Sequence, residues 1–172
     1  LLIAGKTIRG LQEMAEALKS RSMQKYYRCL VAGQLTQDAH LKGYLAKNHQ
    51  NNKVTVHKEA FADASYIETA YHPVKVYENM TLLEVHLITG RSHQIRAHLA
   101  YLGKPVLGDI KYGNRKMNER TGTKTQALCA VRISFLDVPE ENTLHYLSGK
   151  VIKLKDPQIL QQFDALDKSK EA

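Results

Sequence analysis

Cysteine is nearly absent from this chain: Cys29 and Cys129 are the two it has, far apart in the sequence. Each sits in an alternating apolar run, so both read as small buried hydrophobes. Neither a disulfide framework nor a cysteine-based zinc site fits them. Such usage suits a reducing compartment, the cytoplasm. No apolar run approaches the roughly 20 residues that a membrane-crossing helix needs, and the apolar start Leu1-Leu2-Ile3-Ala4 is far too short for a signal peptide. Internal repeats and low-complexity tracts are lacking, which excludes solenoids and arrays. Metal-protease geometry is missing too, because Ala97 stands one helical turn after His93. No P-loop, helix-turn-helix or zinc-finger pattern occurs. Acidic charge is the remaining shortage. Seventeen acidic residues face twenty-five basic ones, for a net charge of +8. That excess points to a polyanionic partner, although charge alone does not separate RNA from DNA.

What is present begins with size. At 172 residues, 43% apolar and 24% charged, the chain suits one domain over residues 1–172 with a real core. The densest chemistry lies at Thr89-Gly90-Arg91-Ser92-His93-Gln94-Ile95-Arg96-Ala97-His98. Before it, Leu83, Val85 and Leu87 alternate along Thr81–Ile88, the signature of a half-buried strand. After it, Ile95, Leu99 and Leu102 recur at helical spacing and stop at Gly103 before Pro105. Gly90 makes the turn, and Ser92 is the expected N-cap. Arg91, His93, Gln94 and Arg96 thus crowd a helix start, where backbone N–H groups favour anions. This packet suits a carboxylate, a phosphate or a base edge; the bland alternative is a solvated polar junction.

Taken in order, Leu1–Ala4 reads as the end of a buried strand. Ile8, Leu11, Met14, Ala15 and Leu18 mark an amphipathic helix with Glu13, Glu16 and Lys19 on its wet side. In the strand that ends at Gly33, Tyr27, Cys29 and Val31 share one face, and Tyr27 is equally readable as core. Residues 34–58 are polar and Asn-rich, a loop or hairpin around Gly43–Leu45. Residues 66–77 form another strand, interrupted or edged by Pro73.

The Gly-punctuated stretch from Pro105 to Gly113 is followed by a basic run. Lys104, Lys111, Arg115, Lys116, Arg120 and Lys124 are opposed only by Asp109 and Glu119, which is +4 of the total +8. It reads as a phosphate-tracking loop, ordered on binding, or as plain solubilising surface. Ala127, Cys129, Val131, Ile133 and Phe135 alternate in a strand, Gly149–Leu154 suggests one more, and Pro157–Leu166 a short helix. The fold class is α+β, a largely antiparallel or mixed sheet with flanking helices.

The run from Thr89 to Leu99 resembles the RluA-type pseudouridine synthases. The likeness continues through Gly103-Lys104-Pro105-Val106-Leu107-Gly108-Asp109 and Tyr112-Gly113. Lys25-Tyr26-Tyr27 with Val31 and Gly33 supports it upstream, and Gln126-Ala127-Leu128-Cys129-Ala130 downstream. What the resemblance implies is isomerisation of uridine in RNA without metal or cofactor; ribosomal RNA is expected before transfer RNA, and a monomer is expected. The target base must be flipped out and stacked, and a carboxylate must be held ionised beside the sugar. By the same resemblance, Arg96 is the arginine that pairs with the catalytic aspartate and Tyr27 the tyrosine that stacks on uracil. Arg91, His93 and Gln94 face the substrate, Leu128 lines the pocket, and Lys111, Arg115 and Lys116 hold RNA. The family's Arg-Leu-Asp-x-x-Thr-x-Gly motif does not occur here. The expectation is a chain that starts just after its nucleophile and is inactive alone, with Arg96 left without its acidic partner. Cys129 replaces the family's usual histidine. The alternative is an RNA-binding module or assembly factor on the same fold.

Overall fold

Period-two burial dominates the architecture. The computed structural model describes residues 1–48 and 52–155, and its centre is a seven-stranded sheet. The strands are β1 (Met23–Ala32), β2 (Ala39–Asn48), β3 (Lys53–His57), β4 (Ser65–Val76), β5 (Met80–Leu87), β6 (Leu128–Phe135) and β7 (Val151–Lys153). They lie in the order β3-β2-β4-β5-β1-β6-β7, and every described pairing is antiparallel. The expected α+β class holds, in its antiparallel form.

Three α-helices among the described residues accompany the sheet: α1 (Ile8–Lys19), α2 (Gln94–Tyr101) and α3 (Arg115–Thr121). Ile95 and Leu99 of α2 pack onto Cys29, Val31, Leu83, Val85 and Leu87. Alternation in β1 and β5 puts all five on one face, and α2 seals them from water. Thr7 caps α1, its hydroxyl accepting from the Gly10 N–H at 3.0 Å. Only Ala17 of α1 is buried, while Ile8 and Leu11 remain 78% and 55% exposed. The helix is where the sequence puts it; its apolar stripe is covered only in part, Met14 and Ala17 packing on Met23, Ile133 and Phe135.

Several expectations change. Leu1–Ala4 is not a buried strand, since Leu2 is 95% exposed. β7 and Leu154 already occupy the free edge of β6 from Val131 onward, leaving the Leu1 amine a single carbonyl, that of Ala130. β2 and β3 pair antiparallel, so the ambiguous segment holds two strands, but Gly43–Leu45 are not its turn: they lie inside β2, opposite Ile67, Tyr66 and Ser65 of β4. Pro73 lies inside β4 rather than ending it. The ladder to β2 stops at Tyr71, and a bulge between Pro73 and Lys75 spares the missing N–H. Cys129 is half-buried, not fully buried as Cys29 is. The expected helix over 157–166 falls outside the described residues.

The opposite face of the sheet is polar. Tyr26 stacks on His86 at 4.6 Å, the Arg132 guanidinium lies 3.5 Å over the Tyr26 ring, and Glu84 bridges Arg28 and Arg132.

Candidate active site

The site is built where β5 hands over to α2. Thr89 follows the last buried residue of β5, and its hydroxyl donates to Gln94 Oε1 at 2.8 Å. Gln94 is turned inward, 2% exposed. Its Oε1 also accepts the Arg91 N–H, and its Nε2 donates to the Glu68 carbonyl and the Thr69 hydroxyl, both at 2.9 Å. Every hydrogen-bonding group of this amide is therefore used in fastening the turn to β4. Gln94 therefore ties the turn that carries Arg91 to β4.

His93, not Ser92, is the N-cap. It adopts φ +56, and no side chain caps the helix. A left-handed non-glycine residue costs energy that surrounding contacts must offset. Those contacts are with Tyr112. His93 Nδ1 lies 3.0 Å from the Tyr112 hydroxyl, and the rings meet edge-on. The same hydroxyl accepts the Val54 N–H of β3. Burial, then the nearby cations Arg96 and Lys111, hold the His93 ring below its ordinary pKa.

Arg96 projects from the first turn of α2 and has a partner. Its Nε donates to Asp109 Oδ2 at 2.7 Å and its Nη2 to Asp109 Oδ1 at 2.9 Å, the bidentate geometry that suits guanidinium and carboxylate best. The Asp109 carboxylate is fully buried. It also accepts the backbone N–H groups of Lys111 and Tyr112. Burial by itself would raise the Asp109 pKa; the hydrogen bonds from Arg96, Tyr112 and Lys111 outweigh it and hold the carboxyl low. The expectation that Arg96 lacks an acidic partner is thus corrected. The thirteen-residue separation of Asp109 from Arg96 hides the pair in the sequence. One local signal was available: Asp109 followed by Tyr112-Gly113 is the pattern of a side chain bonding its own turn. With all its geometry committed and no exposed surface, Asp109 is not placed to act as a nucleophile.

Tyr27 and Leu128 come together elsewhere on the same side of the sheet. Both are half-buried at the rim of the cluster under α2. Leu128 stands opposite Cys29, and a bulge beside Tyr27 brings Ala130 opposite the tyrosine. The Tyr27 hydroxyl has no hydrogen-bond partner among the described residues, and burial raises its pKa.

The basic segment is more ordered than a bare loop. Asn114 caps α3 by accepting from Met117 N–H, and Gly122 closes it in the left-handed conformation. Arg115 and Lys116 are exposed on it, Arg115 paired with Glu119 at 2.8 Å. Lys111 leans back, donating to the Asn52 carbonyl. Gly108 permits this packing, because its φ is +72 and a Cβ there would lie 1.9 Å from the Thr125 carbonyl oxygen.

Sequence reasoning also passed over Tyr112 as a junction and His98 as core. The His98 ring is buried against the Thr69 hydroxyl, and burial lowers its pKa to about 4. No described residues form a cluster able to hold a metal ion, and no described helix is long and apolar enough to cross a membrane.

Residues 1–101 match the family described as RNA pseudouridylate synthase. The chain is 27% identical over 173 residues to ribosomal large subunit pseudouridine synthase C of Vibrio cholerae, covering all of this chain and 52% of that protein. It is 28% identical over 159 residues to ribosomal large subunit pseudouridine synthase D of Nitrosomonas europaea, covering 91% and 44%. An uncharacterised RNA pseudouridine synthase of Mycoplasma genitalium is 33% identical over 138 residues, covering 78% and 43%. The chain thus spans about half the length of the curated relatives it matches. Two human structures share its fold at 18% identity: RNA pseudouridylate synthase domain containing 1 (TM-score 0.64, covering 94% of this chain and 73% of that one) and domain containing 4 (0.68, 91% and 67%). With the matched segment running from α1 to the end of α2, the chain belongs to the RNA pseudouridylate synthase family.

Proposed function

We propose that this chain is the larger part of an enzyme that converts uridine to pseudouridine in ribosomal RNA, acting as a cytoplasmic monomer without metal or cofactor. The observation that carries the reading is Tyr27, a half-buried ring whose hydroxyl has no partner among the described residues, at the rim of the same core cluster as Leu128. An aromatic ring against an apolar neighbour is the surface on which a flipped base stacks, a contact worth about 1–3 kcal/mol. Its hydroxyl is free to take part in the final proton removal.

The reaction breaks the C–N glycosidic bond and joins the same ribose carbon to a ring carbon of the turned uracil. It needs a carboxylate beside the sugar. The Arg-Leu-Asp motif is absent from these 172 residues, and Asp109 is committed to Arg96. The chain by itself is therefore expected to bind RNA without turnover. Arg96 acts through Asp109, as a positioning residue for the 109–113 turn, while Arg91 and the exposed Arg115 and Lys116 supply charge for the backbone. His93 positions Tyr112, and Lys111 ties the basic segment to β3.

A second reading, an RNA-binding module without catalysis, is favoured by one specific observation: the Nε–Nη2 edge of Arg96 is already taken by Asp109 inside the chain. The complete protein separates the two. Wild-type protein is expected to form pseudouridine in ribosomal RNA, detected by carbodiimide mapping, and Tyr27→Ala to abolish it while RNA affinity falls by about 5- to 150-fold, the loss of one stacking contact. Binding by the wild type with no pseudouridine formed would select the binding module. Near-normal turnover by Tyr27→Ala would remove Tyr27 from the site.

A further inference from the structure

Between α1 and the turn after β5 lies a cleft of about 360 Å³ whose ten lining residues include Lys19, Arg21, Lys25 and Arg91, and no carboxylate. Lys25 is the innermost of these cations. It is half-buried, and among the described residues its ammonium has neither an ion pair nor a hydrogen bond. Burial lowers its pKa. Its Nζ rests against Gly90, where a Cβ would lie 2.9 Å away, so a bare α-carbon is what lets the amine occupy the cleft. Arg91, one residue on, is exposed and also has no carboxylate partner there. Arg21 stands at the mouth with φ +64, 3.6 Å from Glu68, and Lys19 reaches Glu16 at 3.7 Å on the outer side. A partly desolvated ammonium without a counter-ion is costly, and an anion entering this cleft would satisfy it.

The position of the cleft identifies the anion. Lys25 and Tyr27 are two residues apart on one face of β1, about 7 Å along the strand. A nucleotide whose base lay on Tyr27 would bring its backbone towards Lys25. We propose that the cleft is a phosphate subsite, in which Lys25 and Arg91 hold one backbone phosphate of the RNA strand whose uracil stacks on Tyr27. The inference rests on the RNA-modifying reading above and adds to it a specific grip on the strand. Neither Gln94 nor Asp109 contributes, since both are saturated by internal partners.

The test measures affinity of this chain for a fluorescent oligouridylate across a salt series, by anisotropy. Each lost phosphate contact lowers the slope of log affinity against log salt by about 0.7 for a single strand. Lys25→Gln and Arg91→Gln are each expected to lower it by that amount, and Lys25→Arg, which keeps the charge, to leave it unchanged. Lys58→Gln, at an exposed lysine outside the cleft, is expected to leave it unchanged as well. Because Arg91 is exposed, its variant reads the subsite even if Lys25→Gln proves poorly folded by circular dichroism. Wild-type slopes retained in both cleft variants, or an equal loss in Lys58→Gln, would overturn the subsite while leaving RNA binding intact. No binding of oligouridylate by the wild type at any salt would overturn the RNA reading and the subsite together.

Discussion

Arg96 and Asp109 hold each other through two parallel N–H···O bonds of 2.7 and 2.9 Å, with the carboxylate fully buried and the guanidinium nearly so. The pair fastens α2 to the turn that precedes the basic segment. Removing one partner leaves a buried charge uncompensated, which costs about 3–5 kcal/mol. Arg96→Ala is therefore expected to lower unfolding free energy by that amount in urea titrations. Arg96→Ala/Asp109→Ala should lose less than the sum of the single variants, with a coupling of about 1–3 kcal/mol. Additive losses would show that the two groups act independently.

The same pair sets an acid-side limit. Asp109 has a lowered pKa in the folded protein, so its contribution is complete above the ordinary carboxylate range. It is lost as pH falls through the lower folded value. In Asp109→Asn, thermal stability should no longer fall on that account below about pH 4.

His98 acts at milder acidity. Its folded pKa of about 4 lies below the ordinary histidine value of 6.5, so the unfolded chain takes up the proton first. Stability is full above pH 6.5 and declines as pH falls towards 4, by ~3 kcal/mol. Melting temperature measured between pH 7 and 4 should drop less steeply in His98→Gln than in the wild type.

Gln94 and Arg91 are close in sequence and should differ sharply on mutation. Gln94→Leu leaves the Thr89 hydroxyl, the Arg91 N–H, the Glu68 carbonyl and the Thr69 hydroxyl without their amide partner, an expected loss of about 2–4 kcal/mol. Arg91→Ala, at an exposed side chain, should stay within about 0.5 kcal/mol. Urea midpoints compared at equal slope would check both.

Two glycines with the same φ of +72 separate strain from space. Nothing lies within 4 Å of a Cβ at Gly103, whereas Gly108 would meet the Thr125 carbonyl at 1.9 Å. Gly103→Ala is expected to cost about 1 kcal/mol, the left-handed penalty alone. Gly108→Ala should cost more than about 2 kcal/mol, as the backbone before β6 must move. Equal losses would refute the close approach.

Periodicity made β1, β5, β6 and α2 legible from residues alone, because each carries its own alternation or helical repeat. The β2–β3 hairpin was harder to read. It lies at the sheet edge, where little burial imposes a pattern, and its polar, Asn-rich composition resembles a loop. Ser92 is a good capping residue by type, yet the Tyr112 contacts moved the helix start to His93. A local preference of about 1 kcal/mol yields to several tertiary contacts.

By itself, the order of residues determined the α+β class, the turn from Thr89 into α2 and the family likeness, since all three are written in short-range spacing. Only the tertiary structure decided that Arg96 is matched by Asp109, that Gln94 is saturated inside the turn, and that Lys25 stands over Gly90 without a partner among the described residues. Those relations join residues distant in sequence, and which charge meets which is fixed by chain packing rather than by spacing.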